Sequence, residues 1–225
     1  HIVSRNPQAG EQLATELNAI YTKQKNGLEI SADIIIIAVA DAGIEECIPK
    51  LLPDSDTILL HTAGSVGKEV FLHKSRHYGV LYPLQSLRKE SKTIPEVPFL
   101  IDADSQHTLS ILQTFVNSLS LKVRIAGDEE RLKLHVAAVF VSNFTNHLYA
   151  VADALCKKEH LDFDLLKPLI RETATRLDAH SPSEVQTGPA KRKDMLTIEK
   201  HLKVLSAYPE WEKLYIKLSE SIMGK

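Results

Sequence analysis

The stretch DIIIIAVAD, residues 33–41, decides the fold. Its apolar run is too short for a typical helix, and its isoleucines and valine are β-branched, which favours strand. A run that is apolar on both faces is what a strand inside a parallel sheet requires. Asp41 stands where a helix N-cap belongs, so a helix is expected over 41–52, ending near Pro53. Downstream, TILLH (57–61) repeats the strand pattern and TAGS breaks it. Further strands are expected over 79–82, 98–102 and 122–125, with a helix over 105–119 before the last. Upstream, HIVSRN reads as a short strand. Leu13, Leu17 and Ile20 at helical spacing predict a helix over 8–21, with Pro7 in its first turn.

Strands alternating with helices predict a mostly parallel, doubly wound α/β sheet over residues 1–126. From Glu129 to Met223 only helical periodicity remains, including one apolar helix of about 30 residues. An all-α domain is therefore expected over 127–225, with Gly127 as the boundary. No repeat or low-complexity tract interrupts either part.

Composition narrows the function classes. With 27 basic against 29 acidic residues and no basic run interleaved with aromatics, nucleic acid is disfavoured as a partner. Cys47 and Cys156 form neither a CxxC pair nor a cluster with histidines, which argues against a metal site and fits a reducing, cytoplasmic setting. The run from Ile34 to Ala40 is too short to span a bilayer.

Ligands of an open α/β sheet collect at the carboxyl ends of its strands. Ser4 and Arg5 follow the first strand. An arginine there suits a 2′-phosphate, hence NADP ahead of NAD, although a surface arginine on a helix-leading turn reads equally well. Val39, Ala40 and Asp41 follow the second run, where small residues admit a cofactor; Asp41 alone also reads as a helix cap. Thr62, Ala63, Gly64 and Ser65 offer a tight turn with hydroxyl donors. In YPLQS (82–86), Gln85 and Ser86 supply neutral hydrogen-bonding groups for a substrate, and a structural turn explains them nearly as well. On the long helix, His135, Ser142 and Asn146 fall at i, i+7 and i+11, a polar seam on an apolar helix, with Asn143 beside it. His135 is a candidate proton donor and Asn143 a candidate orienting group. In QTGPAKRKD (186–194), Thr187 and Arg192 can meet an anion at a helix start, or the segment is a capping turn with an Arg192–Asp194 ion pair.

HTAGS, YPLQS, LHVAAVFVSNFTNHLY (134–149), PLIRET (168–173) and QTGPAKRKD together resemble the signature blocks of a bacterial family, the domain-of-unknown-function 2520 group. Its members resemble pyrroline-5-carboxylate reductases and deazaflavin-dependent NADP oxidoreductases. The resemblance implies a Rossmann-like domain followed by an all-α domain similar to the C-terminal part of 6-phosphogluconate dehydrogenases. The family begins with a strand and a Gly-rich turn, and HIVSR is similar to its second strand. A strand and helix of roughly 25 to 30 residues are thus expected to be missing from the front. Related hydroxyacid dehydrogenases carry a Lys followed one turn later by Asn, whereas here Lys133 is followed by Ala137 and His135 by Val139, so that pair does not carry over. The expectation is an NADP-dependent oxidoreductase that reduces a small carbonyl or imine. The alternative is a non-catalytic nucleotide-binding or regulatory dimer. A homodimer through the helical domain is expected, because the long helix carries more apolar surface than one face can hide.

Overall fold

The computed structural model describes residues 1–23, 27–29, 31–88 and 93–224. The chain forms two compact units, His1–Asn143 and Phe144–Lys225.

In the first unit the strands are β1 (Ile2–Ser4), β2 (Tyr21–Lys23), β3 (Leu28–Glu29), β4 (Ile34–Ile37), β5 (Leu51–Leu52), β6 (Ile58–His61), β7 (His77–Pro83), β8 (Phe99–Ala103) and β9 (Val123–Ile125). The helices are α1 (Pro7–Glu16), α2 (Ile44–Cys47), α3 (Gln106–Asn117) and α4 (Asp128–Ala138). The main sheet runs β4-β6-β7-β8-β9, while β1 pairs with β2 and β3 with β5 in separate parallel ribbons. Within the main sheet only β7 and β8 are antiparallel. The carboxyl ends of β4, β6 and β7 therefore meet at one edge, and β8 starts from that edge.

Alternation along the strands sorts the core into two faces. Ile58, Leu60, Leu81 and Ile101 pack under Leu112 and Val116 of α3. On the opposite face Val80, Tyr82 and Leu100 gather with Ala126 and Leu134 of α4, and Ile37, Leu59 and Tyr78 pack with Ile44 and Phe71. Gly79 lies where β7 and β8 come closest: a Cβ there would sit 2.2 Å from the Asp102 carbonyl oxygen.

The doubly wound sheet expected from the sequence is present, with local differences. The first helix stops at Glu16 rather than running through Tyr21, because Asn18 turns the chain at φ 49° and Tyr21 enters β2. Asn6 caps that helix by accepting from the Ala9 amide, with Pro7 at its first position. The helix expected over 41–52 breaks into a 3-10 turn, the single-turn α2, and a second 3-10 turn through Pro49 that feeds β5. Asp41 is not its cap; it lies inside the first turn, and Ala40 at the cap position makes no side-chain bond. The isoleucine run is less buried than expected. Among the described residues β4 pairs on one side only, and Ile36 stays 42% exposed.

The units divide at Asn143 and not at the change of pattern at Gly127, because α4 is anchored to the sheet unit. Leu134 packs on the Val80 cluster, and Arg131 donates to the Val66 carbonyl. A π-helical segment, Val139–Phe144, contains the division.

The second unit is helical: α5 (Thr145–Lys158), α6 (Lys167–Thr175), the single-turn α7 (Pro189–Arg192), α8 (Met195–Leu205) and α9 (Pro209–Met223). Residues of α5, α8 and α9, including Leu148, Val151, Leu155, Val204 and Leu214, line an apolar cleft of about 370 Å³, with Trp211 on its wall. Among the described residues no helix is long and apolar enough to cross a membrane.

Candidate functional site

Three segments of the first unit converge at the carboxyl edge of its sheet. β7 ends with Tyr82, which alternation turns toward the face covered by α4, and Tyr82 is buried. A buried phenol needs a hydrogen-bond partner. It finds one in His135, one helical turn beyond Arg131 on α4, with 2.8 Å between Tyr82 Oη and His135 Nδ1 and the rings edge to face at 5.8 Å. Gly64, in the turn after β6, lies against this pair. A Cβ on it would fall 2.7 Å from His135 Nδ1 and 3.0 Å from Tyr82 Cζ, so only glycine lets the turn approach. Burial and the nearby Asp41 carboxylate push the Tyr82 phenol up, against the opposing Arg131 guanidinium, so it keeps its proton.

Behind the turn lies a buried polar group. His61 at the end of β6 is fully buried, and its Nδ1 accepts from the Ala63 amide at 3.2 Å. That bond places the ring proton on Nε2, which among the described residues has no partner in hydrogen-bonding geometry. Arg131, 1% exposed, donates through Nη2 to the Val66 carbonyl and, at 2.6 Å, to Asp128. Its Nε and Nη1 are buried and unpartnered. Beside them Lys68 bonds Asp102 at 2.7 Å; burial pulls the ammonium down, but the Asp102 bond and charge leave it above its ordinary range. The loop after β6 is thus fastened to α4 and β8 by charged groups.

Burial first, then the Arg131 charge, pushes the His61 imidazole down from 6.5 to about 4, against the Gly67 carbonyl and the Asp128 and Asp41 carboxylates. A base whose folded pKa is depressed stabilises the fold fully above its unfolded value, and this contribution fades as pH falls from 6.5 towards 4. The loss amounts to about 3 kcal/mol. Unfolding midpoints of the wild type should therefore fall more steeply between pH 7 and 4 than those of His61→Gln. Parallel curves would remove His61 from the acid response.

The other expected positions fall as follows. Ser65 Oγ donates to Asp41 Oδ2, joining the turns after β6 and β4, so Asp41 serves as a bridge. Val39 and Ala40 follow β4 and Thr62 and Ala63 follow β6 at the same edge, with Thr62 half-buried and Ala63 buried. Ser4 turns inward, its hydroxyl accepting from the Asn6 amide, while Arg5 is exposed and makes no ion pair among the described residues. Gln85 is spent on its own loop, donating to the Glu96 carbonyl and accepting from the Ser86 amide; Ser86 is exposed.

His135 lies in α4 and Ser142 in the π-helical segment, so the count at 3.6 residues per turn does not run unbroken between them. That segment turns through fewer degrees per residue, which rotates Ser142 and Asn143 relative to that count. Ser142 and Asn143 are exposed and belong to the first unit, and Asn146, also exposed, to the second. Thr187 and Arg192 are exposed as well. Gly188 caps the single-turn α7, and Asp194 caps α8, accepting from the Thr197 amide and hydroxyl at 3.1 and 2.7 Å rather than pairing with Arg192. Tyr82, His61 and Arg131 escaped the sequence reading. The one available signal was Tyr82 heading YPLQS on an inward strand position, a phenol that had to find a partner.

A family model described as "Domain of unknown function (DUF2520)" matches residues 97–222. A solved protein from Bacteroides fragilis, provisionally assigned as an NADP oxidoreductase, is 36% identical over 99% of this chain and 87% of its own, with a TM-score of 0.90. Two more distant structures share the fold. A 1-pyrroline-5-carboxylate reductase from Streptococcus pyogenes is 10% identical, with a TM-score of 0.57 over 97% of this chain and 88% of its own. An imine reductase from Myxococcus stipitatus, solved with NADP+, is 12% identical, with a TM-score of 0.53 over 99% and 82%. A comparison with curated proteins found no match. With its C-terminal 97–222 matched by the family model and the Bacteroides relative spanning nearly all of it, the chain belongs to the DUF2520 family.

Proposed function

We propose that the chain is an NADP-dependent reductase of a small carbonyl or imine. The observation that carries this reading is the convergence of Gly64, Tyr82 and His135 at the carboxyl edge of a doubly wound sheet, where such folds bind their ligands. The assignment of the Bacteroides relative supports the oxidoreductase class, and the imine reductase with NADP+ supports the choice of substrate and cofactor.

The residues present fit the two ends of a dinucleotide. Arg5, exposed after β1 and without an ion pair among the described residues, suits a 2′-phosphate. The turns Val39–Asp41 and Thr62–Ser65, rich in small residues and tied together by the Ser65–Asp41 bond, would take the nicotinamide end. When bound, the cofactor supplies the hydride. His135 then donates a hydrogen bond to the oxygen or nitrogen that becomes the alcohol or amine, whose proton comes from solvent water, and Asn143 orients the substrate.

Titrating the protein with NADPH and NADH by fluorescence should give markedly tighter binding of NADPH. His135→Ala should keep that binding and lose at least about a hundredfold in turnover of a small imine or carbonyl. Binding without turnover in the wild type would instead favour the non-catalytic nucleotide-binding dimer; no binding of either nucleotide would sink both readings.

The protein is also proposed to act as a homodimer. Leu165, Leu169 and Leu196 are 77%, 61% and 73% exposed, a load of apolar surface that a second copy of the chain would cover. Sedimentation velocity should give a dimer at micromolar concentration; a monomer would count against this assembly.

A further inference from the structure

The bond between Tyr82 and His135 has a direction, and burial decides it. Either ring nitrogen of a neutral imidazole can carry the proton, so the contact at 2.8 Å is compatible with donation from the phenol or from Nδ1. Tyr82 is 9% exposed, and among the described residues Nδ1 of His135 is the one hydrogen-bond partner of its hydroxyl. Were Nδ1 the donor, the phenol hydrogen would be left without a protein acceptor among the described residues. Were the phenol the donor, both groups would be satisfied. Gly64 holds the arrangement closed, because its backbone lies against His135 Nδ1 and Tyr82 Cζ with no room for a side chain. The half-buried imidazole is left with Nε2 unpartnered among the described residues.

We infer that Tyr82 is a positioning residue: its hydroxyl donates to His135 Nδ1 and fixes the ring as the tautomer that carries its proton on Nε2, ready to be offered to a substrate acceptor. The role in reduction rests on the reading above, but the tautomer does not. With Nε2–H set in advance, neutral His135 polarises a carbonyl or imine as a hydrogen-bond donor and is unavailable as a base at that nitrogen. The phenol keeps its proton throughout, consistent with the upward push that burial and Asp41 exert on it.

Nitrogen-15 NMR of the full chain, labelled at its ten histidines, tests this without any cofactor. The His135 signals are assigned by their loss in His135→Gln, and spectra are taken near pH 9, where ordinary imidazoles are neutral. The wild type should show His135 protonated on Nε2 alone, with Nδ1 as a hydrogen-bonded acceptor. Tyr82→Phe, which removes only the hydroxyl, should show both tautomers in exchange. In turnover assays that variant should lose roughly tenfold in kcat with KM little changed. A wild-type ring protonated on Nδ1 overturns the assignment even in a protein that reduces imines, and so does a spectrum unchanged in Tyr82→Phe. A rise in KM alone would make Tyr82 a substrate contact and overturn its positioning role. An Nε2–H ring in a protein that reduces nothing upholds the tautomer and overturns the reductase reading instead.

Discussion

Gly79→Ala should unfold this protein more readily than any other single-methyl addition, lowering its unfolding midpoint by about 10 °C or leaving it insoluble. The added Cβ would meet the Asp102 carbonyl oxygen at 2.2 Å and the Ala103 Cα at 3.1 Å, backbone atoms held by the β7–β8 ladder. Neither can rotate away as a side chain would, so two strands must separate, costing roughly 3 kcal/mol or more. That is a large fraction of the 5–15 kcal/mol typical of a folded domain. Gly127→Ala is the matched control: nothing lies within 4 Å of its added Cβ, and its φ of −65° suits alanine. Thermal melts that place the two variants together would mean the strands do not approach as closely as described.

Arg131→Met should be nearly as damaging, for an electrostatic reason. The guanidinium is 1% exposed and answers both the Val66 carbonyl and Asp128. Removing it leaves the Val66 carbonyl without its donor, while Asp128, 39% exposed and also held by the Lys68 amide, turns to water, a loss of about 1–3 kcal/mol. Asp128→Asn should cost less in the Arg131→Met background than alone, a coupling of up to about 1 kcal/mol read by denaturant titration. If the two losses simply add, the pair is not coupled and the loop after β6 is held by other contacts.

The order of strands and helices was legible because it rests on short-range patterns: IIIIAVA and TILLH announce parallel strands by composition alone. Where the reading went astray, local geometry overrode periodicity. Asn18 adopts a positive φ and ends a helix whose apolar spacing continued, and Pro49 sits in a 3-10 turn that runs into β5. The site was legible in part. Gly64 and His135 stood in recognisable blocks, but Tyr82 is 53 residues from His135 in sequence, and no local pattern states that the two meet. Arg131 was hidden more thoroughly. In DEERLK it looks like one more charge on a solvated face, and only the position of the Val66 carbonyl explains its burial.

The reversal of β8 has a bearing on how such a protein diversifies. Because β7 and β8 run antiparallel, the connection between them leaves from and returns to the same edge of the sheet, beside Tyr82. Gln85 clasps the two arms of that connection by donating to the Glu96 carbonyl. Lengthening a flexible loop costs little entropy, about 0.6 kcal/mol for each doubling. The length of the connection between β7 and β8 can therefore change at the edge beside Tyr82 while every strand keeps its register.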